Sequence, residues 1–274
     1  MKISVLLSLF AKENPQYFQL SMKSIWDEQV RKPDQIVLVE DGPITDELEI
    51  VIKEWQQKLG NILTIIKLEK NQGLAIALNE GAKYCTGDFI ARMDTDDISL
   101  PNRFQVQESY LLKHKDVVLL GGGMIEFNDE EGDLPPRIMP LSLAEIKKAI
   151  CKTNPFVHPS VFISKELFNQ GLKYNPNCRR NQDAEFWFRI IAAGYNVANI
   201  PDIIIKFRKD QFMYKKRKKS AKSEFLIFMK GIYQIYGPFT YRYIYPIIHY
   251  IFRLLPAAWS LFIYKKFIYK YWQK

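Results

Sequence analysis

The 274-residue sequence has few cysteines and lacks the usual glycine-rich phosphate loops. Its three cysteines, Cys85, Cys151 and Cys178, form no pair at metal-ligand spacing and no disulfide framework. This argues against a zinc site and is typical of reduced thiols in a cytosol. No G-x-G-x-x-G follows the first apolar run and G-x-x-x-x-G-K-[ST] is absent, so the common dinucleotide-binding and P-loop classes lose their defining residues.

Long hydrophobic runs are missing as well. The longest uncharged stretch between Arg253 and Lys265 has 11 residues, whereas about 20 are needed to span a bilayer. The opening run ISVLLSLFA lacks a small-x-small cleavage site and soon meets charged residues, so it predicts a buried strand and not a signal peptide.

Charge is unevenly distributed along the chain. The whole sequence has 39 Lys and Arg against 30 Asp and Glu, a net charge of +9. Residues 206–274 hold 16 of the basic residues and two acids, Asp210 and Glu224, so this segment carries +14 and the rest carries −5. With 47% hydrophobic and 25% charged residues, the composition predicts a globular core and excludes disorder, collagen and coiled coil. The result is an acidic body with a basic tail.

Short apolar runs alternate with helical patterns over the first two hundred residues, which predicts a mostly parallel sheet flanked by helices. Strands are predicted at Ile3–Leu9, Gln35–Glu40, Leu63–Leu68, Asp88–Met93 and Val117–Leu120. Helices are predicted at Gln16–Glu28, Thr45–Lys58, Leu74–Tyr84 and Pro101–Lys113. A less regular half follows, with a hairpin-like stretch at Met124–Phe127, helices at Leu143–Ile150, Lys165–Gln170 and Asp183–Ala193, and a closing strand at Ile203–Phe207. No linker separates two independent domains.

Three carboxylates follow the fourth predicted strand in the run ARMDTDDISLP. Asp94 and Asp96 would converge on one side of an extended turn, and Asp97 follows them. Repelling carboxylates need a cation or a shared proton, and their hard oxygens favour Mg²⁺ or Mn²⁺. The alternative is a helix cap, in which Asp97 or Ser99 caps the helix starting at Pro101; capping, however, needs only one acid.

Polar residues also follow other predicted strands, whose carboxyl ends form one edge of a parallel sheet. Glu40 and Asp41 end IVLVEDG and could accept hydrogen bonds from a base or a ribose, or form an ordinary turn. In KNQGLAIALNEGA, Gly73 precedes a helix that Asn71 could cap.

Two further residues fit either a functional or a purely structural role. Asp183 begins the helix of NQDAEFWFRI, where an acid is also favoured by the helix dipole. His158 lies between a turn and a strand in NPFVHPSVF, a position that often is structural.

In this order and spacing, ISVLLSLFAKENPQYF, IVLVEDG, NQGLAIALNEG, ARMDTDD with PNRF, and QDAEFWFRI resemble the family 2 inverting glycosyltransferases. The resemblance covers about residues 1–210 and implies the GT-A fold, with residues 1–120 as the nucleotide-sugar half and 121–210 as the acceptor half. MDTDDI, GGGMIEF and GYNVANIPD are similar to bacterial O-antigen and exopolysaccharide transferases, including galactosyltransferases.

The resemblance implies a UDP-sugar donor site with Mn²⁺ or Mg²⁺ on Asp94 and Asp96, and Asp41 on uracil. The full set of implied donor-site residues is Ser8, Leu9, Glu40, Asp41, Asn71, Gly73, Asp94, Thr95 and Asp96. Asp183 matches the general base, with Gln182 in place of the usual preceding Glu. Asp97, His158 and Gln182 are candidate acceptor contacts.

The implied reaction moves one hexose, with galactose as the best guess, onto a polyprenyl-diphosphate-linked sugar with a β-linkage. The Gln-x-x-Arg-Trp motif of processive synthases is absent, which favours single transfer. Two alternatives remain: a sugar-1-phosphate nucleotidyltransferase, whose G-x-G-x-R loop is missing here, and a non-enzymatic protein that binds nucleic acid or another anionic surface.

The basic tail, residues 211–274, combines KKRKKSAK with aromatic and aliphatic helical patterns. Such an extension is typical of a helix lying on an anionic membrane. The sequence therefore predicts a cytoplasmic protein on the inner face of the cytoplasmic membrane. Packing on the core or homodimerisation remains an alternative, and the acidic body disfavours nucleic acid as a partner.

Overall fold

The structure, a computed structural model, describes residues 1–130, 132–209 and 213–254, and the side chains of these except 213–220. Its strands are β1 Ile3–Leu9, β2 Gln35–Glu40, β3 Leu63–Lys67, β4 Phe89–Arg92, β5 Ile98–Ser99, β6 Val117–Asn128, β7 Gly132–Asp133, β8 Phe162–Ser164 and β9 Asn196–Arg208. Its helices are α1 Pro15–Trp26, α2 Asp46–Leu59, α3 Leu74–Tyr84, α4 Arg103–Lys113, α5 Leu143–Ile150, α6 Lys165–Asn169, α7 Gln182–Ala192, α8 Met213–Tyr236 and α9 Ile244–Leu254.

These strands form one mixed sheet in the order β3-β2-β1-β4-β8-β6-β9-β5, with β7 added to β6. The first four strands are parallel, β8 runs antiparallel to both of its neighbours, and β6 is parallel to β9. The predicted α/β class, a mostly parallel mixed sheet flanked by helices, is confirmed.

Alternation along the central strands divides the core into two layers. On β1, Val5 and Leu7 pack on one side with α1, α2 and α4, while Leu6 packs on the other side with α3, α5 and α7. Successive strand side chains point to opposite faces, so a strand buried on both sides must be apolar throughout. This is why the opening run is a strand.

Local signals set the start of α1. The Asn14 side chain accepts hydrogen bonds from the N–H groups of Gln16 (2.8 Å) and Tyr17 (3.4 Å), and Pro15 takes the first helical position. An Asn cap followed by proline is a strong helix start. The helix therefore begins one residue before the predicted bound.

The second half departs more from the prediction. The hairpin-like stretch at Met124–Phe127 is the continuation of β6, which runs from Val117 through the three glycines to Asn128 before turning to β7. The closing strand begins at Asn196, seven residues earlier than predicted, and pairs with β6 along most of its length.

The tail begins with two helices that pack on the body. Phe228 of α8 contacts Phe188 of α7 with ring centroids 5.4 Å apart, and α9 folds back on α8. Of the helices described, none is long and apolar enough to cross a membrane. Residues 211–212 and 255–274 of the predicted tail lie outside the described residues.

Candidate active site

Three neighbouring parallel strands, β2, β1 and β4, bring their carboxyl ends to one edge of the sheet. Leu9 pairs with Glu40, and the Asp41 N–H donates to the Leu9 carbonyl at 2.7 Å. On the other side of β1, the Met93 N–H donates to the Leu6 carbonyl at 3.1 Å. The two acidic strand ends therefore face the same edge, as the sequence predicts.

Asp94, Asp96 and Asp97 form one cluster at this edge. Each offers a carboxylate oxygen, and these oxygens all lie within 4.8 Å of one another. The helix-capping alternative is wrong: α4 begins at Arg103, its N-cap is Asn102, and no side chain caps it. The three carboxylates therefore converge on each other and do not cap α4.

Arg208, at the end of β9, holds the turn that carries this carboxylate cluster. Its N–H donates to Asp97 Oδ1 at 2.7 Å and its Nε donates to the Asp96 carbonyl at 3.0 Å. The guanidinium lies over the Tyr17 ring at 3.7 Å and bonds Asp129 at 2.6 Å. Sequence reasoning missed Arg208 because its partners are more than 75 residues away.

Arg92 is the second functional residue that sequence reasoning missed. It is the last residue of β4, its side chain is 3% exposed, and both of its terminal nitrogens pair with the two carboxylate oxygens of Asp94. Residues at i and i+2 of an extended chain share a side, which is the signal that could have found the pair. Its Nε is buried without a hydrogen-bond partner among the described residues.

The negative charge of the carboxylate cluster is only partly compensated by the described residues. Burial, followed by the Asp94 charge, raises the pKa of Asp96 to about 6. The same two causes, with Asp96 added, raise the pKa of Asp97 well above its ordinary value. Asp97 Oδ2 is buried with no hydrogen-bond partner in the described part of the chain. Three converging carboxylates with an orphan oxygen are a donor set that a hard divalent cation fits.

Asp41 joins β2 to the loop before α3. Its Oδ1 accepts from the Gln72 N–H at 2.7 Å and its Oδ2 from the Gly73 N–H at 2.9 Å. Asn71 donates to the Asp41 carbonyl at 3.2 Å, so the prediction that Asn71 caps α3 is wrong; the cap is Gly73, at φ 91°, without a side-chain bond. The Asn71 side chain therefore binds the backbone after β2 and not the start of α3.

Other predicted donor-site residues lie at the edge with unequal access. Ser8 is partly exposed, whereas the Leu9 side chain is fully buried in the core, so Leu9 can reach a ligand only through its backbone. Thr95 is buried beside the cluster. The Glu40 side chain is 5% exposed and its Oε2 pairs with the Lys67 ammonium at 3.1 Å. Glu40 is therefore buried at the edge of the sheet.

Asp183 stands in the first turn of α7, after Asn181 in a left-handed conformation (φ 53°) and Gln182, which is partly exposed. Asn154 donates from its amide to Asp183 Oδ2. Surrounding protein atoms raise the pKa of Asp183, although part of its surface remains open. The sequence offered no signal for Asn154, since it lies 29 residues before its partner.

His158 packs in an aromatic group beside this acid. Its Nε2 lies 2.8 Å from the Tyr174 hydroxyl, and its ring contacts Trp187 of α7 edge-on at 5.9 Å. Burial, and then the Arg92 charge, lower the pKa of His158 well below its ordinary value. The Arg92 charge also acts on Asp183. His158 and Asp183 are therefore close enough to the carboxylate cluster to share the field of Arg92.

A cavity of about 220 Å³ adjoins the loop that Asp41 holds. Gln72 and Gly73 line one side, and Pro176, Cys178 and Arg179 line the other. It lies between the strand-end loops and the segment that leads into α7, so both halves of the chain contribute to it.

Solved structures identify this architecture. A mannosyltransferase from Pyrobaculum calidifontis in complex with GDP-Man and Mn²⁺ superposes with a TM-score of 0.64 at 16% identity, over 95% of this chain and 72% of that one. S. aureus TarS 1-349 in complex with UDP gives 0.62 at 16% identity, over 97% and 72%. The predicted GT-A glycosyltransferase fold is confirmed.

The family follows from sequence. The model of "Glycosyl transferase family 2" matches residues 9–172, and the chain belongs to this family. It is 38% identical to the amylovoran biosynthesis glycosyltransferase AmsE of Erwinia amylovora, over 96% of this chain and 98% of that one. It is 34% identical to a UDP-Gal:alpha-D-GlcNAc-diphosphoundecaprenol beta-1,3-galactosyltransferase of Escherichia coli, over 97% and 96%. The protein is therefore a glycosyltransferase.

Proposed function

We propose that this glycosyltransferase uses a divalent cation to transfer one hexose from a UDP-sugar to a lipid-diphosphate-linked sugar. The observation that carries the proposal is the cluster of Asp94, Asp96 and Asp97, whose oxygens converge within 4.8 Å. Residues 1–120 would bind the donor and residues 121–210 the acceptor.

The donor side of the site consists of strand ends and the cavity beside them. Asp94 and Asp96 would hold Mn²⁺ or Mg²⁺, which when bound would neutralise charge on the nucleoside-diphosphate leaving group. Asp41 fixes the Gln72–Gly73 loop at the edge of the cavity and would face the base. Ser8, Thr95 and the backbone of Leu9 would complete the edge on which the nucleotide lies.

The acceptor side would use Asp183 as the general base. Asn154 fixes one oxygen of the Asp183 carboxylate, and the other would accept the proton of the attacking hydroxyl. Because one displacement inverts the anomeric carbon, an α-linked donor gives a β-linked product. Gln182 carries no charge to compete for this proton. His158, held neutral by burial, would orient the acceptor.

The relatives and the charge pattern support the proposed acceptor class and cellular location. Relatives named for amylovoran biosynthesis and for a galactosyltransferase acting on a diphosphoundecaprenol-linked sugar support a role in surface-polysaccharide synthesis with galactose as the first donor to test. Such an acceptor would be presented at the cytoplasmic face of the membrane. The basic tail, residues 211–274, would hold the enzyme there.

Metal-dependent donor binding tests the first half of the proposal. Calorimetry of UDP binding with and without Mn²⁺ should give metal-dependent affinity in the wild type and none in Asp94→Asn/Asp96→Asn. Asp27→Asn, which removes a surface acid paired with Lys58, is the control and should bind as the wild type does. Equal, metal-dependent binding by the double variant would refute the metal site.

Transfer assays test the base. Asp183→Asn should lower turnover by ~10²–10⁴-fold, because the hydroxyl loses its proton acceptor, while UDP affinity stays unchanged. A panel of UDP-hexoses assayed by metal-dependent UDP release would identify the donor. Turnover within tenfold of the wild type in Asp183→Asn would remove it as base.

A further inference from the structure

The helix α9 exposes a continuous apolar face. Five aliphatic side chains at helical spacing are each 41–58% exposed: Ile244, Ile247, Ile248, Ile251 and Leu254. Positions i, i+3, i+4, i+7 and i+10 lie along one side of a helix. Two aromatic residues extend this α9 face into the preceding loop, where Phe239 is 98% and Tyr241 is 69% exposed. An apolar face of this size on the surface marks an interaction site.

The opposite side of α9 is fixed to the rest of the molecule. Pro246 is buried, the Tyr250 ring lies 4.9 Å from that of Phe225 in α8, and Arg253 pairs with Glu224. Because α8 is itself docked on α7, the α9 face is held outward by a packed structure. Its exposure therefore does not come from a loose chain end.

Length and surrounding charge indicate what the face contacts. An 11-residue helix extends about 16 Å, which suits a helix lying flat in a membrane interface. Residues 211–274 contain 13 Lys and Arg and one acid, Glu224, which already pairs with Arg253. Lysine and arginine in the same segment of sequence as an apolar helix favour anionic lipid.

We propose that the α9 face inserts into the surface of an anionic bilayer and lies in its plane, with the basic residues of the tail on the lipid headgroups. This inference rests on the proposed lipid-linked acceptor and identifies the surface that meets its membrane. Charge complementarity favours lipid over a second copy of the chain, since a dimer through α9 would bring two segments of net charge +12 together.

A charge-neutral substitution separates apolar insertion from electrostatic attraction. Ile248→Gln/Ile251→Gln should weaken sedimentation with phosphatidylglycerol-containing vesicles by about tenfold or more, because two side chains lose their apolar contact. Ile50→Gln/Leu112→Gln is the matched control, since these residues are equally exposed on α2 and α4, and it should bind as the wild type does. At ~0.5 M NaCl, which screens charge, the wild type should keep part of its binding and the α9 variant none.

Transfer and oligomeric state complete the test. With a short-chain, water-soluble acceptor the α9 variant should turn over as the wild type does, and with a long-chain acceptor in vesicles it should lose most of its rate. A wild type that transfers to neither acceptor would overturn the proposed function alone. Vesicle binding by the variant equal to the wild type would overturn the insertion of α9. A dimeric wild type and a monomeric α9 variant in light scattering would show that a second copy covers the face, and would also overturn it.

Discussion

Removing the guanidinium of Arg92 should destabilise the metal-free enzyme, and divalent metal should restore part of the lost stability. The Arg92 side chain is 3% exposed and its Asp94 partner 30% exposed. Removing one member of a buried pair costs about 3–5 kcal/mol, and the partial exposure of Asp94 reduces this to about 2–3 kcal/mol. For a chain of this size, Arg92→Met should lower Tm by about 5–10 °C in EDTA.

The metal dependence separates this pair from an ordinary ion pair. With all three carboxylates ionised, as cation binding requires, the cluster and Arg92 together carry a net charge of minus two, and the variant leaves minus three. A divalent cation should therefore bind the variant more tightly, and a tenfold gain in affinity adds about 1.4 kcal/mol under saturating metal. With 1 mM Mn²⁺ we expect the deficit of Arg92→Met in urea denaturation to shrink by about this amount.

A double-mutant cycle and a second ion pair provide the controls. Arg92→Met, Asp94→Asn and their combination should give a coupling free energy of about 2 kcal/mol in EDTA. Arg31→Met breaks the ion pairs of Arg31 with Glu108 (3.1 Å) and Asp34 (2.9 Å) elsewhere in the fold, and the resulting loss of stability should be the same with and without Mn²⁺. A coupling below about 0.5 kcal/mol, or a deficit that Mn²⁺ leaves unchanged, would refute the reasoning.

Three further predictions concern pH, thiols and the docking of the tail. In the folded, metal-free protein Asp96 binds a proton with a pKa of about 6, whereas the carboxyl in the unfolded chain has a pKa of about 4. The free energy of unfolding in EDTA should therefore fall as pH rises from about 4 to about 6. Urea midpoints that stay constant over this pH range would contradict the prediction. Burial raises the pKa of Cys85 to about 12, so Cys85 should react with a thiol reagent at pH 8 only as fast as the protein opens, and rapid labelling under native conditions would be inconsistent with that burial. A Cβ at Gly231 would lie 2.2 Å from the Phe188 ring, so Gly231→Ala should cost about 1–3 kcal/mol and increase proteolysis in α8; an unchanged digestion pattern would argue against the packing of α8 on α7.

The sheet of the first half could be predicted because its signals are local. The bounds of β1, β2 and α3 agree with the sequence prediction, since each is an uninterrupted apolar or helical pattern. The bounds of β6 could not be predicted, because Gly121, Gly122 and Gly123 favour a loop on local grounds. They lie in a strand because β9 approaches closely: a Cβ on Gly122 would stand 2.6 Å from Ile204.

The start of β9 could not be predicted from the sequence because it depends on a different nonlocal contact. Asn199 and Pro201 are poor strand residues, yet the Asn199 amide donates to the carbonyls of Pro140 (2.6 Å) and Pro155 (3.1 Å). These bonds fix an irregular register against β6. The strand therefore depends on residues more than 40 positions away, which no window of sequence contains.

The candidate site divides in the same way. The acids were found because carboxylates after a strand are a local pattern, whereas the groups that hold them were not: Arg208 and Asn154 reach their partners only through the fold. Arg92 is the exception, since it lies two residues before Asp94. A cation two positions from an acid at a strand end is itself a local signal, because the acid and the cation together set the charge at a metal site.

One helix connects the chemistry with the proposed membrane surface. Asp183 stands in the first turn of α7, and Phe188, five residues or about 7.5 Å further along the helix, packs on Phe228 of α8. The α9 face is fixed to α8 in turn. Under these two proposals, packed side chains would set the distance between the base and the bilayer, so loosening Gly231 against Phe188 should lower turnover on vesicle-embedded acceptor more than on a water-soluble one.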